Sequence, residues 1–215
     1  MCSPIAEFEV LLKRNDEFVE SYKNSPMMQL IKNSGMEKEP FRQRLLGAIQ
    51  VLSDYFQKVV LLRSVLSETP AFKAAASMHL KEEFCHNEQL MKERNHQLAT
   101  WDPILEATCS WFVWKMFTIS EEEQTVLIHL VLEASGNVFF QAAAPVIHDY
   151  MGTEYFKIHA EADQEHEKMG LNLLQDLSKK QYEKLFAIQA QGWSMFLAIS
   201  ERIAALVHLL PESGG

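Results

Sequence analysis

Apolar residues recur along this chain at helical spacing. After Pro4, residues Phe8, Leu11, Leu12, Phe18 and Val19 gather on roughly one face as far as Tyr22, and Asn24-Ser25-Pro26 breaks the run. A short helix from Met27 to Lys32 stops at Asn33-Ser34-Gly35. Pro40 opens a long helix to about Leu66, with Leu45, Leu46, Ile49, Leu52, Phe56, Val59 and Val60 as its buried stripe. Three further stretches, about 71–96, 121–148 and 153–177, read as helices, and a large-apolar helix follows Asp102-Pro103. Ser120-Glu121-Glu122-Glu123 has the form of a capping box, and Ser178 caps a last helix ending near Leu210. Strand-like alternation is absent. The expectation is an all-α bundle of about seven long helices, forming one domain over residues 1–215.

Composition narrows the partners. There are 20 basic and 29 acidic residues, a formal net charge of -9 with no Lys/Arg cluster, which argues against nucleic acid or an anionic membrane. Cys2, Cys85 and Cys109 show no paired spacing, so no disulfide framework is expected and a reducing, cytoplasmic setting fits. The N-terminal stretch mixes charges into its apolar residues and lacks the apolar segment of a signal peptide. No run approaches 18 uncharged apolar residues, so no membrane span is expected. A homodimer suits an acidic bundle with this much apolar surface.

One polar stretch stands apart. His159, Asp163 and His166 are spaced i, i+4 and i+7, so on a helix turning ~100° per residue they share an arc of roughly 60°. Two imidazoles and a carboxylate aimed at one point suit a redox-active iron. The plain alternative is a solvated helix face, since Glu161, Glu165 and Glu167 lie nearby. Glu83 and His86 form a Glu-x-x-His read as one helix face, with Glu82 as the substitute carboxylate, and a surface pair as the alternative. Glu133 is a lone carboxylate in an apolar segment. It either needs a partner in the interior or lies on a narrow exposed stripe with His129 and Asn137. Together Glu83, His86, Glu133, His159, Asp163 and His166 make three carboxylates and three imidazoles from three helices, a complement for two metal ions. His79, one turn before Glu83, is a further candidate.

This order of ligands resembles the heme-oxygenase-like di-iron oxidases and oxygenases, over about residues 26–205. The resemblance implies a heme-oxygenase-like bundle, two Fe(II) ions with Mn as the alternative, O2 as co-substrate and no heme. A heme oxygenase would carry its iron-binding His on the first helix, and no His precedes His79. The implied activity is O2-dependent oxidation of a small amine, amino acid or fatty acid. The other reading within the fold is a metal-independent hydrolase like thiaminase II, or a small-molecule-binding protein. That enzyme works through a Cys nucleophile, and neither Cys85 nor Cys109 has a setting like its own. The aromatic and apolar residues Phe84, Phe139, Phe140, Trp111, Trp114, Trp193, Met195 and Phe196 are candidates to line a substrate pocket, with Lys81 or Lys115 for a substrate carboxylate.

Overall fold

A computed structural model of the chain describes residues 4–33, 35–148, 154–166 and 168–208, with residues 4, 5, 35 and 161–166 described by their backbone alone. All regular elements among the described residues are helices. They are α1 (Pro4–Lys23), α2 (Pro26–Lys32), α3 (Glu39–Leu66), α4 (Pro70–Glu83), α5 (His86–Glu93), α6 (Pro103–Met116), α7 (Glu121–Thr125), a π-helical stretch (Val126–Glu133), α8 (Ala134–His148), α9 (Glu154–His166) and α10 (Lys179–His208).

Local chemistry sets the starts. Prolines open α2, α4 and α6, where the missing N–H is one that a helix leaves unpaired anyway. Asp102 caps α6 by accepting from the backbone N–H of Ile104 and Leu105, both at 3.0 Å. Ser120 and Glu123 form the expected capping box of α7.

α10 runs through the middle. It packs against α1, α2, α3, α6 and the π-helical stretch. Trp193 is fully buried, stacks on Phe18 and donates its indole N–H to Asn15 at 2.9 Å. Arg202 grips the Asp102 carboxylate with two nitrogens, tying α10 to the start of α6. Gly192 lets the π-helical stretch approach: a Cβ there would stand 2.5 Å from Leu127 and 3.0 Å from Val131. By length and composition, α3 and the run 121–148 could cross a membrane, yet 50% and 67% of their apolar windows are buried inside the bundle.

Two predicted helices need correcting. The stretch 71–96 is broken at Phe84-Cys85, where Phe84 is extended and Cys85 takes a left-handed φ of 69°. Glu83 therefore closes α4 and His86 opens α5, so they do not share one helix face. The Cys85 N–H is held by Gln57 Oε1 at 2.8 Å, and the α5 backbone by Gln50 donating to the Asn87 carbonyl at 3.0 Å. The stretch 153–177 is not one helix either: α9 ends at His166, and Leu171–Leu174 forms a 3-10 turn entered through Gly170 at φ 76°.

Candidate metal centre

Four helical segments bring five ligand-type side chains together: His79 and Glu83 from α4, His86 from α5, Glu133 from the end of the π-helical stretch, and His159 from α9. They fall into two triads, Glu83–His86–His159 and His79–Glu83–Glu133. Within each, the ligand atoms lie within 4.8 Å of one another. Glu83 belongs to both. All five are buried except His86, which is partly exposed.

The contacts follow the same outline. His79 Nε2 lies 2.6 Å from Glu133 Oε1. His86 Nδ1 stands 3.1 Å from Glu83 Oε2, and His159 Nε2 is 3.8 Å from the same oxygen. The two imidazoles of the first triad meet edge to face, with ring centroids 4.8 Å apart.

The protonation of one ring nitrogen can be derived for each of two histidines. His159 Nδ1 is 2.7 Å from the Tyr155 carbonyl, which can only accept, so Nδ1 carries a proton and Nε2 is the nitrogen that faces Glu83. His129 Nε2 lies 2.7 Å from an Arg63 guanidinium nitrogen, which can only donate, so His129 is neutral with its proton on Nδ1. Arg63 also donates to Thr125 Oγ1 at 3.1 Å. Desolvation lowers its pKa to about 10, against the opposing pull of Glu133 and Glu121. The His129 and His79 rings are 5.0 Å apart, so a buried cation stands behind the second triad.

The donor set fits a divalent transition metal. Imidazole nitrogens and carboxylate oxygens suit iron or manganese, four of the five side chains are buried, and Glu83 is common to both triads. A π-helical turn within an α-helix is frequent at functional sites. Here it puts both His129 and Glu133 inside: Glu133 is 4% exposed and His129 0%, which removes the exposed-stripe alternative.

Of the carboxylate pair, Glu83 is 4% exposed and turned inward, while Glu82 is an exposed position. The side chains of Asp163 and His166 lie outside the described residues; their backbone continues α9 beyond His159. Spacing alone marks His79 only as a further candidate, yet it is buried as deeply as Glu83. Its spacing to Glu83, i to i+4 on α4, was the available signal. His96, His148 and His208 are exposed.

A cavity of about 100 Å³ adjoins the cluster at His159. It is walled mainly by apolar side chains from α1, α2, α3, α6, α8, α9 and α10. Of the candidate lining residues, Phe139, Phe140 and Phe196 take part. Phe84 and Trp114 point outward at 58% and 55% exposure, and Trp193 is enclosed against α1. Trp111, Met195, Lys81 and Lys115 do not line it; the Lys115 ammonium lies over the rings of Trp111 and Trp114. Phe140 stacks on His159 at 4.5 Å. Cys109 also lines the cavity, and burial first, then the charge of Glu106, pushes its thiol up to about 12. It stays protonated and weakly nucleophilic at neutral pH.

The helical fold is similar to that of a solved TenA homologue protein from P.horikoshii OT3, with a TM-score of 0.70 over 93% of this chain and 99% of that one. At 13% identity that likeness is one of fold. No family model matches the chain. It is 34% identical over 201 residues to the uncharacterized protein RP592 of Rickettsia prowazekii (strain Madrid E), covering 94% of this chain and 96% of that protein, and it belongs to the family of that protein.

Proposed function

We propose that this protein is a non-heme di-iron oxidase or oxygenase that uses O2 to oxidise a small substrate. The supporting observation is the pair of triads that share Glu83, a donor set that suits two ions rather than one. Two ferrous ions, when bound, supply the electrons that activate O2. His79, Glu83, His86, Glu133 and His159 would hold them, with Asp163 and His166 expected to complete the set from the next turns of α9. Glu83, common to both triads, would be the carboxylate shared between the two ions.

The rest of the chain supplies orientation and dryness. The Tyr155 carbonyl fixes the His159 ring so that Nε2 faces the cluster. Arg63 orients His129 behind His79 and Glu133. Phe139, Phe140 and Phe196 keep water from the cavity next to His159. A hydrolase working through a thiol is disfavoured, because the cavity's own thiol, Cys109, is held in its protonated form.

The test is anaerobic Fe(II) titration followed by mixing with O2 in a stopped-flow spectrometer. Uptake near two irons per chain and a transient visible absorption band are expected. A protein that binds no iron, or one weakly held ion with no band, would sink the proposal. The double variant His159→Ala, Asp163→Ala should lose iron uptake while keeping its helical content.

A further inference from the structure

Helix α6 is apolar on more than one side, and the bundle buries only one of them. Leu105, Cys109, Phe112 and Met116 face the core, where Cys109 and Phe112 line the cavity. At ~100° per residue, Ile104, Ala107, Trp111 and Trp114 fall together on the other side. Ile104, Ala107 and Trp114 are exposed, and Trp111 is partly so. Exposed apolar residues continue beyond both ends of the helix: Phe117 is 61% exposed, Trp101 76% and Leu98 92%. A helix apolar on its outer side as well as its inner one is unusual at a protein surface. Exposed aromatic residues gathered in one place mark a surface that another molecule covers.

Charge is sparse on this surface, and what there is has a partner. From Gln97 to Ser120 the charged side chains are Asp102, Glu106 and Lys115. Asp102 is held by Arg202, and Glu106 accepts from Tyr55. The Lys115 ammonium lies 5.1 Å from the ring centroids of Trp111 and Trp114. The stretch therefore has no basic cluster for an anionic partner, and the net charge of -9 repels one.

The pattern is also self-complementary. Ala107 and Trp114 stand equally far along the helix from the midpoint between Ser110 and Trp111, and so do Ile104 and Phe117. Two copies of α6 laid antiparallel about a two-fold axis at that midpoint would set each Trp114 against the small Ala107 of the other copy, and Ile104 against Phe117. Trp101, Ile104, Trp114 and Phe117 together expose roughly 600 Å² per copy. A modest interface buries ~600–800 Å² per partner.

We propose that the outer face of α6 is the interface of a homodimer, in which two copies of this chain pair antiparallel with Trp114 seated against the partner's Ala107. The proposal stands apart from the di-iron reading, since none of these residues is a candidate metal ligand.

Sedimentation velocity of the full chain between about 1 and 100 µM tests it. The chain should pass from monomer to dimer in this range, as an interface of this size predicts. Trp114→Glu puts a charge at the centre of the face, and Ala107→Arg fills the space that receives Trp114. Each should weaken dimerisation at least about tenfold. Both positions are exposed in the single chain, so helical content should be unchanged. Val10→Glu, at an exposed apolar position on α1, should leave dimerisation as it is. A chain that stays monomeric at 100 µM would overturn the proposal, and so would a dimer that survives both α6 variants or one that Val10→Glu weakens equally. Flotation of a monomeric chain with phosphatidylcholine vesicles would also overturn it, and would assign the face to a membrane surface.

Discussion

The guanidinium of Arg63 lies 2.7 Å from His129 Nε2, and both side chains are buried. This contact links α3 to the π-helical stretch directly behind the candidate ligand His79. Arg63→Met would leave His129 Nε2 and Thr125 Oγ1 without their donor and remove a cation whose field reaches Glu133. The expected loss is ~2 kcal/mol, from unpaired buried acceptors. Thermal unfolding of the metal-free protein should show a midpoint lower by about 5 °C. An unchanged midpoint would mean that Arg63 is not needed to hold these groups.

Glu83 is the residue common to both triads, and His86 belongs to one. Glu83→Ala is therefore expected to abolish binding of both irons, while His86→Ala should retain about one of the two, since the other triad remains whole. Metal analysis after anaerobic loading and gel filtration reads this directly. Equal stoichiometry in the two variants would contradict the shared position of Glu83.

Gly192 sets the distance between α10 and the π-helical stretch that carries Glu133. Replacing it with Ala gains ~1 kcal/mol of helix propensity but drives a methyl against Leu127 and Val131, at a cost of ~1–3 kcal/mol. Net destabilisation of about 1 kcal/mol is expected, and more for Gly192→Val. Because Leu127 and Val131 flank His129, Fe(II) binding should weaken in parallel. A midpoint that rises in Gly192→Ala would show that the flanking side chains give way freely.

Cys109 predicts an alkaline effect. Its thiol pKa rises from the ordinary value of 9.0 to about 12 on folding, chiefly through burial. The unfolded chain thus gives up the proton first, and the stability this contributes is complete below pH 9 and lost as pH climbs toward 12. Cys109→Ala should lessen the fall in stability across that window. Tyr55, pushed up to about 12 by its hydrogen bond to Glu106, adds a similar loss from about pH 10 that the variant retains. Peptide mapping after iodoacetamide at pH 8 should find Cys109 unmodified until the protein is unfolded. Rapid labelling of Cys109 in the native state would contradict its assigned burial.

Tyr22→Phe removes a buried hydroxyl that has no partner within the protein. Unlike most core substitutions it should stabilise the ligand-free chain, by ~1 kcal/mol or about 2–4 °C in midpoint. A destabilised variant would imply that the hydroxyl has an internal partner after all.

Much of the fold was legible because its signals are local. Prolines, Ser120 with Glu123, and the apolar stripe of α3 mark helices that the structure places within a residue or two of the expected bounds. The site was legible as residue types and spacing. Its form was not, because two features depend on tertiary contacts. Nothing around Phe84-Cys85 resembles a helix stop, and the left-handed Cys85 is held by Gln57, 28 positions earlier. Likewise Val126–Glu133 has an ordinary apolar pattern; its wider π-helical winding is seen only where it packs on α10 and presents Glu133 to His79. His79 was underrated because its partner lies 54 positions away.

The corner at Cys85 also changes how the ligand spacing itself should be understood. Inside a continuous helix, one inserted or deleted residue between two ligands would swing the second by ~100° and ruin the site. Here the joint is a short bend between two separately anchored rods, so the number of residues in it can change while both rods keep their seats. The interval from Glu83 to His86 is thus set by the bend at Phe84-Cys85 and not by helical periodicity. A search pattern for this kind of centre should leave that gap elastic and demand instead the buried carboxylate that ends one helix and the imidazole that begins the next.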